Sequence, residues 1–307
     1  MCRKAFDAWQ NPDYSALARD TDMFAFDLDG TLARSKQPMK TGIAGIFAAL
    51  TYVCPVAIVS GGRLSLLHSQ IVDVVDDVMN RENLHLMPTT GTRYYRWDGN
   101  GWECVFEKNI PEEDAKKAVE SLNRRAAQLG LLQGETWGER IENRGSQITF
   151  SALGQNAPAD IKEAWDPDAS KRNALAAAVA RDLPNLTVKS GGSTSVDISC
   201  KGIDKSYAIC RLTQIFNIRP SRILYVGDRT DENGNDYPAV QAGTTAMHVR
   251  GPEDTVELIK GVMRAKTGGY VFDALERSVE LNGRDSHCDS AQFDAFVSSL
   301  PELIAKH

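Results

Sequence analysis

The chain is predicted to be an α/β protein, a doubly wound parallel sheet interrupted by a smaller inserted domain. Three observations lead there. Met23–Phe26, Val56–Val59 and Ile223–Val226 are short, unbroken apolar runs, as expected of strands buried on both faces of a parallel sheet. Each runs straight into a polar turn that contains glycine: Asp27-Leu28-Asp29-Gly30, Ser60-Gly61-Gly62 and Gly227-Asp228. More than 150 residues separate the second run from the third, far too many for a single crossover.

The elements follow in order. Thr245–Val249 predicts a fourth core strand and Glu253 to about Lys266 a helix after it. This Rossmann-like alternation places a ligand site at the carboxyl ends of the strands, where the three turns converge. Within the long gap, Tyr94–Phe106 predicts a hairpin about Asp98-Gly99-Asn100-Gly101. A helix is expected from Glu112 to Leu129, led by Pro111. Strands are expected at Gln147–Ala152, Leu186–Lys189 and Ser195–Ser199, with a helix at Lys171–Arg181. The order fits an antiparallel sheet with helices on one face, an α+β insertion spanning 105–203 between core segments 1–104 and 204–307. The stretch Phe293–Ile304 reads as a further apolar helix, for packing or dimerisation.

With 307 residues, 25% charged and a net charge of −6, the composition is that of an ordinary soluble chain with no electrostatic footprint for nucleic acid. No apolar run is long enough to span a bilayer, and Met1 to Asp20 holds no apolar segment of a secretory signal. Six cysteines (Cys2, Cys54, Cys104, Cys200, Cys210, Cys288) without close pairing or histidine neighbours predict reduced, mostly buried thiols. A cytoplasmic location is expected. Tyr95, Trp97 and Trp102 are expected to pack the hairpin, and the scattered His68, His85 and His248 support no histidine site.

Asp27 and Asp29 end the first strand one residue apart, and strand alternation would put them on the same side. Two adjacent carboxylates repel unless a cation or a division into acid and base compensates. Attack on a phosphate ester needs a nucleophile, neutralised phosphoryl oxygens and a proton for the leaving oxygen. Asp27 could supply the first, forming an aspartyl-phosphate, and Asp29 could move the proton. Asp228 and Asp236, in Asn233-Gly234-Asn235-Asp236, are candidate ligands from the far side for a hard divalent cation, Mg²⁺. Lys205 opens a helix, Lys205–Phe216, where it opposes the helix dipole, and could balance phosphoryl charge.

This ordered set, Asp27-Leu28-Asp29-Gly30-Thr31, Ser60, Lys205, and Gly227-Asp228 with Asn235-Asp236, resembles the haloacid-dehalogenase-like phosphotransferase superfamily, and the insertion resembles its C2 cap. Within it the chain most resembles eukaryotic-type phosphomannomutases, through Glu142-Asn143-Arg144-Gly145, Phe150-Ser151-Ala152-Leu153-Gly154, Gly191-Gly192-Ser193-Thr194-Ser195-Val196-Asp197, Gly202-Ile203-Asp204-Lys205 and Gly227-Asp228-Arg229-Thr230. The resemblance implies that Asp27 is the nucleophile and Asp29 the general acid/base. Ser60 and Lys205 would hold the phosphoryl group, with Gly61 and Gly62 beside the substrate. Asp27, Asp29 (through its carbonyl), Asp228 and Asp236 would hold Mg²⁺.

The resemblance also implies three cap arginines on the distal phosphate of a hexose phosphate. Arg144 matches the first, but Gln155 and Lys162 stand at the other two positions, and neither offers the planar fork of arginine. Ser195 and Asp197 match sugar-hydroxyl contacts. The expectation is therefore a Mg²⁺-dependent phosphatase of a sugar phosphate or phosphorylated polyol, needing only one phosphate held. A hexose phosphomutase is the alternative, and a non-catalytic sugar-phosphate binding protein the alternative of another class. A small phosphorylated sugar is the expected partner, and a homodimer through the cap the expected assembly.

Overall fold

The computed structural model describes residues 6–7 and 12–269; Phe293–Ile304, Cys2 and Cys288 lie outside them. Among the described residues the first compact unit extends to Phe106 and resumes at Asp204, and the second spans Glu107–Ile203.

The first unit is built on β1 (Phe6–Asp7), β2 (Met23–Phe26), β3 (Val56–Val59), β4 (Leu84–Met87), β5 (Arg93–Trp97) and β6 (Trp102–Glu107), completed by β11 (Ile223–Gly227) and β12 (Thr245–His248). Their order in one sheet is β1-β12-β11-β2-β3-β4-β5-β6. All pairings from β1 to β4 are parallel, and β5 joins β4 antiparallel. The apolar runs are unbroken because both faces are covered. Phe24, Phe26, Ile58 and Val226 meet Phe47, Leu50, Ile259 and Val262 on one face. Met23, Ala25, Val59 and Tyr225 meet Ala208, Ile209 and Leu212 on the other. Each fully buried large side chain there contributes about 1.5–3 kcal/mol.

Several elements of this unit go beyond the sequence reading, and two of them shape the sheet. The helix Thr41–Val53 buries Ile43, Ile46, Phe47 and Leu50, a stripe at helical spacing that covers one face of the sheet. β4 is fully buried although His85 interrupts its apolar pattern. The hairpin predicted inside the gap corrects to the edge of the core sheet, so Val105 and Phe106 lie in the core rather than the insertion. Its alternation leaves the choice of sheet open; Tyr94 and Phe106 make it by packing under the core. Trp97 and Trp102 stack edge-on within the hairpin, 5.8 Å apart.

The second unit is an antiparallel sheet of β7 (Ile141–Asn143), β8 (Gln147–Ser151), β9 (Leu186–Ser190) and β10 (Ser195–Cys200), in order β7-β8-β10-β9. Helices Glu112–Gln128 and Ser170–Asp182 cover one face, packing Ala118, Leu122, Leu175 and Val179 on Ile148, Phe150, Val196 and Ile198. The alternate residues therefore form a polar face.

Among the described residues the cysteines are unpaired, but the expectation that they are mostly buried does not hold. Cys54 is buried, with burial pushing its thiol up to about 12, whereas Cys104 and Cys210 are exposed. No described helix is long and apolar enough to cross a membrane.

Candidate active site

Strand order reverses at β2: the chain passes from β2 to β3 and β4 on one side, while β11 and β12 lie on the other. A crevice at the carboxyl ends of neighbouring strands forms at such a switch point. Asp27 follows β2 directly and Asp228 follows β11, with the Asp27 N–H donating to the Val226 carbonyl at 2.9 Å. Gly30, at φ +85°, turns the acid loop so closely onto Asp228 that a Cβ there would lie 2.5 Å from Asp228 Oδ2. The two turns face each other.

At their junction Lys205 Nζ donates to both Asp27 Oδ1 and Asp236 Oδ1. The three are 3%, 5% and 0% exposed, so this charge network is dry. Asp236 Oδ1 also accepts from the Tyr225 hydroxyl at 2.6 Å, and its Oδ2 from the Arg229 N–H at 2.9 Å. Gly227 leaves room for that carboxylate, since a Cβ would collide with it. Burial, with Asp236 and Asp228 nearby, pushes Asp27 up to about 7 against the pull of Lys205. Burial and Asp236 likewise raise Asp228. Burial works against the charge of Lys205, but Asp27 and Asp236 outweigh it and hold its pKa above the ordinary lysine value.

Asp27, Asp228 and Asp236 each present a carboxylate oxygen within 4.8 Å of the others. Three acids against one lysine leave the cluster short of positive charge, and the raised Asp27 and Asp228 show it. An all-oxygen, carboxylate-rich set suits a hard divalent cation, whose charge would draw both groups back down toward the ordinary carboxylate range. The donor set thus fits the metal expected, with Asp27 and Asp228 better placed to hold it than Asp236, whose oxygens already accept three hydrogen bonds.

Asp29 departs from the sequence expectation. β2 ends at Phe26, so strand alternation does not extend to the acid pair, and the two carboxylates take different partners. Asp29 Oδ1 accepts from the Lys36 N–H at 2.9 Å and the Gln70 amide at 3.2 Å, and its carboxylate is not part of the three-acid cluster. Ser60 is buried at the end of β3, with Oγ accepting from the Gly62 N–H at 3.0 Å. A Cβ at Gly62 would meet Leu66 at 2.7 Å, whereas one at Gly61 would only touch the Thr90 hydroxyl at 4.0 Å.

In the second unit, register puts Glu142, Thr149, Asp197 and Lys189 in one row on the polar face of the sheet. Arg144 forks onto Glu142 at 2.7 and 3.0 Å. Asp197 accepts from the Thr149 hydroxyl at 2.7 Å, and Ser195 lies two residues before it on the same face. Gln155 and Lys162 turn onto the unit's own backbone: the Gln155 amide onto the Thr149 and Arg140 carbonyls, Lys162 Nζ onto the Gln155 carbonyl at 2.8 Å.

Known proteins share this organisation. A family model described as eukaryotic phosphomannomutase matches residues 43–265. The chain belongs to that family. Phosphomannomutase of Spinacia oleracea is 27% identical over 238 residues, covering 76% of this chain and 92% of the relative. Phosphomannomutase of Saccharomyces cerevisiae is 27% identical over 240 residues, covering 76% and 91%. Among solved structures, a haloacid dehalogenase-like hydrolase from Bacteroides thetaiotaomicron aligns with a TM-score of 0.57 at 14% identity, covering 78% of this chain and 98% of that one, which shows a shared fold. The chain thus joins membership of the eukaryotic phosphomannomutase family to a haloacid-dehalogenase-like fold.

The family match begins after the acid pair, so the link between Asp27 and the matched residues is the geometry at Lys205 and Asp228. Tyr225 and Gln70 were not anticipated. Tyr225 lies inside an apolar strand, where a tyrosine reads as core; its hydroxyl, meeting Asp236, and its ring, 5.8 Å from Lys205 Nζ, tie it to the site. Gln70 lies 41 positions from Asp29, with no motif around it.

Proposed function

We propose that this chain transfers a phosphoryl group on a hexose phosphate through an aspartyl-phosphate on Asp27, and that it acts as a hexose phosphomutase. The dry Asp27–Lys205–Asp236 network facing Asp228 supports the shared chemistry. The family match favours the mutase over the phosphatase expected from the sequence, because the curated relatives are phosphomannomutases.

Asp27, freed of its proton, attacks phosphorus with its carboxylate, while Lys205 offsets the charge of the phosphoryl oxygens. Asp29 gives a proton to the leaving sugar oxygen and takes one from the next acceptor. Mg²⁺, held by Asp27, the Asp29 carbonyl and Asp228, would let carboxylate and phosphate approach. A mutase returns the phosphoryl group to another hydroxyl of the sugar, whereas a phosphatase passes it to water.

One observation keeps hydrolysis as a second reading. Gln155 and Lys162, where the family resemblance implies arginines, are turned onto backbone carbonyls. A mutase must hold a bisphosphate in two orientations, and these contacts compete with a grip on the second phosphate. The purified protein with Mg²⁺ and a panel of hexose phosphates, with and without hexose bisphosphate, separates the two. Interconversion of 1- and 6-phosphates that needs bisphosphate supports the mutase; release of inorganic phosphate supports hydrolysis. Asp27→Asn should abolish either, and a fully active variant would remove the nucleophile.

A further inference from the structure

Gln70 sits on a π-helical turn, His68–Val72, between the helical segments Leu64–Leu67 and Asp73–Val75. Such turns are rare, and they recur where a side chain must be re-aimed at a functional site. Gln70 is 1% exposed. Its amide nitrogen faces three acceptors: Asp29 Oδ1 at 3.2 Å, the Gln37 carbonyl at 3.0 Å and the Arg34 carbonyl at 3.4 Å. Three acceptors around one end of the amide settle which end is nitrogen. Among the described residues its Oε1 is buried without a partner, a cost that an interchangeable core residue would not carry. Its main-chain carbonyl accepts from the Met39 N–H at 2.8 Å, so one residue ties down the 34–39 loop and Asp29 together. That loop supplies the other bond to Asp29, from the N–H of Lys36 at φ +57°. Both bonds to the carboxylate end on Oδ1.

We propose that Gln70 is the positioning residue for Asp29: it fixes the carboxylate by Oδ1, directly and through the loop, and reserves Oδ2 for the proton. The proposal rests on the reading of Asp29 as general acid/base. In the first half-reaction the bond from phosphorus to the leaving oxygen breaks as phosphorus bonds to Asp27, and the proton on Asp29 moves to that oxygen. A sugar hydroxyl leaves poorly without the proton; p-nitrophenolate leaves without help. Loss of positioning should therefore appear on the sugar ester and not on the aryl ester.

The test compares wild type, Q70M and D29N, each saturated with Mg²⁺, in turnover of hexose phosphates and in the pre-steady-state burst of nitrophenolate from p-nitrophenyl phosphate. Q70M should lose about 10- to 100-fold on the sugar ester while its burst rate stays within about threefold of wild type. D29N should lose more in the same pattern, and Q70M/D29N should be no slower than D29N. Equal losses by Q70M on both substrates, or no loss on the sugar ester, would overturn the role of Gln70 while leaving Asp29 standing. D29N without leaving-group dependence, or a wild type that releases no nitrophenolate, would overturn the chemistry at the site and Gln70 with it. Should Q70M fail to fold, the near-isosteric Q70E, which puts an acceptor where the donor was, carries the same comparison with the same expected pattern.

Discussion

Lys205 ion-pairs with Asp27, 178 positions earlier in the chain, and does so as the first residue of its helix. A lysine there opposes the helix dipole, and burial alone would strip its charge. Asp27 and Asp236 reverse that outcome, so helix, acid loop and the Gly227 turn are joined by one buried ammonium.

Replacing that ammonium tests the joint. Lys205→Met leaves Asp27 and Asp236 facing each other unpaired and should destabilise the fold by about 3–5 kcal/mol. Denaturant melts in EDTA measure it. Added Mg²⁺ should recover part of the loss, because the acids then regain a counter-charge. A variant as stable as wild type without metal would show that the pair does not hold the turns together.

The approach of Gly30 to Asp228 makes a sharper prediction. Gly30→Ala adds a Cβ at φ +85°, 2.5 Å from Asp228 Oδ2, and should destabilise by about 1–3 kcal/mol and remove activity. Gly99→Ala in the hairpin also has a positive φ, +100°, but meets nothing within 4 Å. It should cost about 1–2 kcal/mol in strain and leave kcat unchanged. Equal activity in the two variants would mean that crowding at Asp228 is unimportant.

The core strands were legible because burial on both faces leaves no polar position to blur them, and Met23–Phe26 and Val56–Val59 appear with the bounds expected. β4 was not, since His85 breaks its pattern and is accommodated by two residues later in the chain, Tyr94, whose hydroxyl lies 3.1 Å from Nδ1, and Phe216, packed edge-on at 4.7 Å. The hairpin was legible as a hairpin but not as a core edge, because alternation carries no record of which sheet a strand joins. At the site, the structure brings together Asp27, Asp228 and Lys205, which their turns and helix start had singled out. The divergence of Asp29 was not, because it depends on where β2 stops and on the Gln70 amide.

His85 also predicts a pH dependence. Burial, assisted by the charge of Arg96, lowers it to about 4. The unfolded chain, with an ordinary histidine near 6.5, therefore binds a proton that the folded chain refuses between those values. The stability contributed by neutral His85 is complete above about pH 6.5 and is lost as pH falls toward about 4. Thermal melts of wild type and His85→Gln over that range should show the variant gaining on wild type as the buffer is acidified. A constant difference in Tm would mean that His85 is not buried neutral.

The contacts of Gln155 and Lys162 bear on the balance between transfer and hydrolysis. Arginine at either position would bring a planar fork able to hold phosphate by two bonds. The double variant Q155R/K162R should raise bisphosphate-dependent interconversion of hexose 1- and 6-phosphates by about tenfold relative to inorganic phosphate released, since one extra charge-assisted pair is worth about 1.5 kcal/mol. Partitioning of product at fixed Mg²⁺ measures the ratio. An unchanged ratio would mean that these two positions do not hold the distal phosphate, and the acceptor would then be decided beside Asp27 instead.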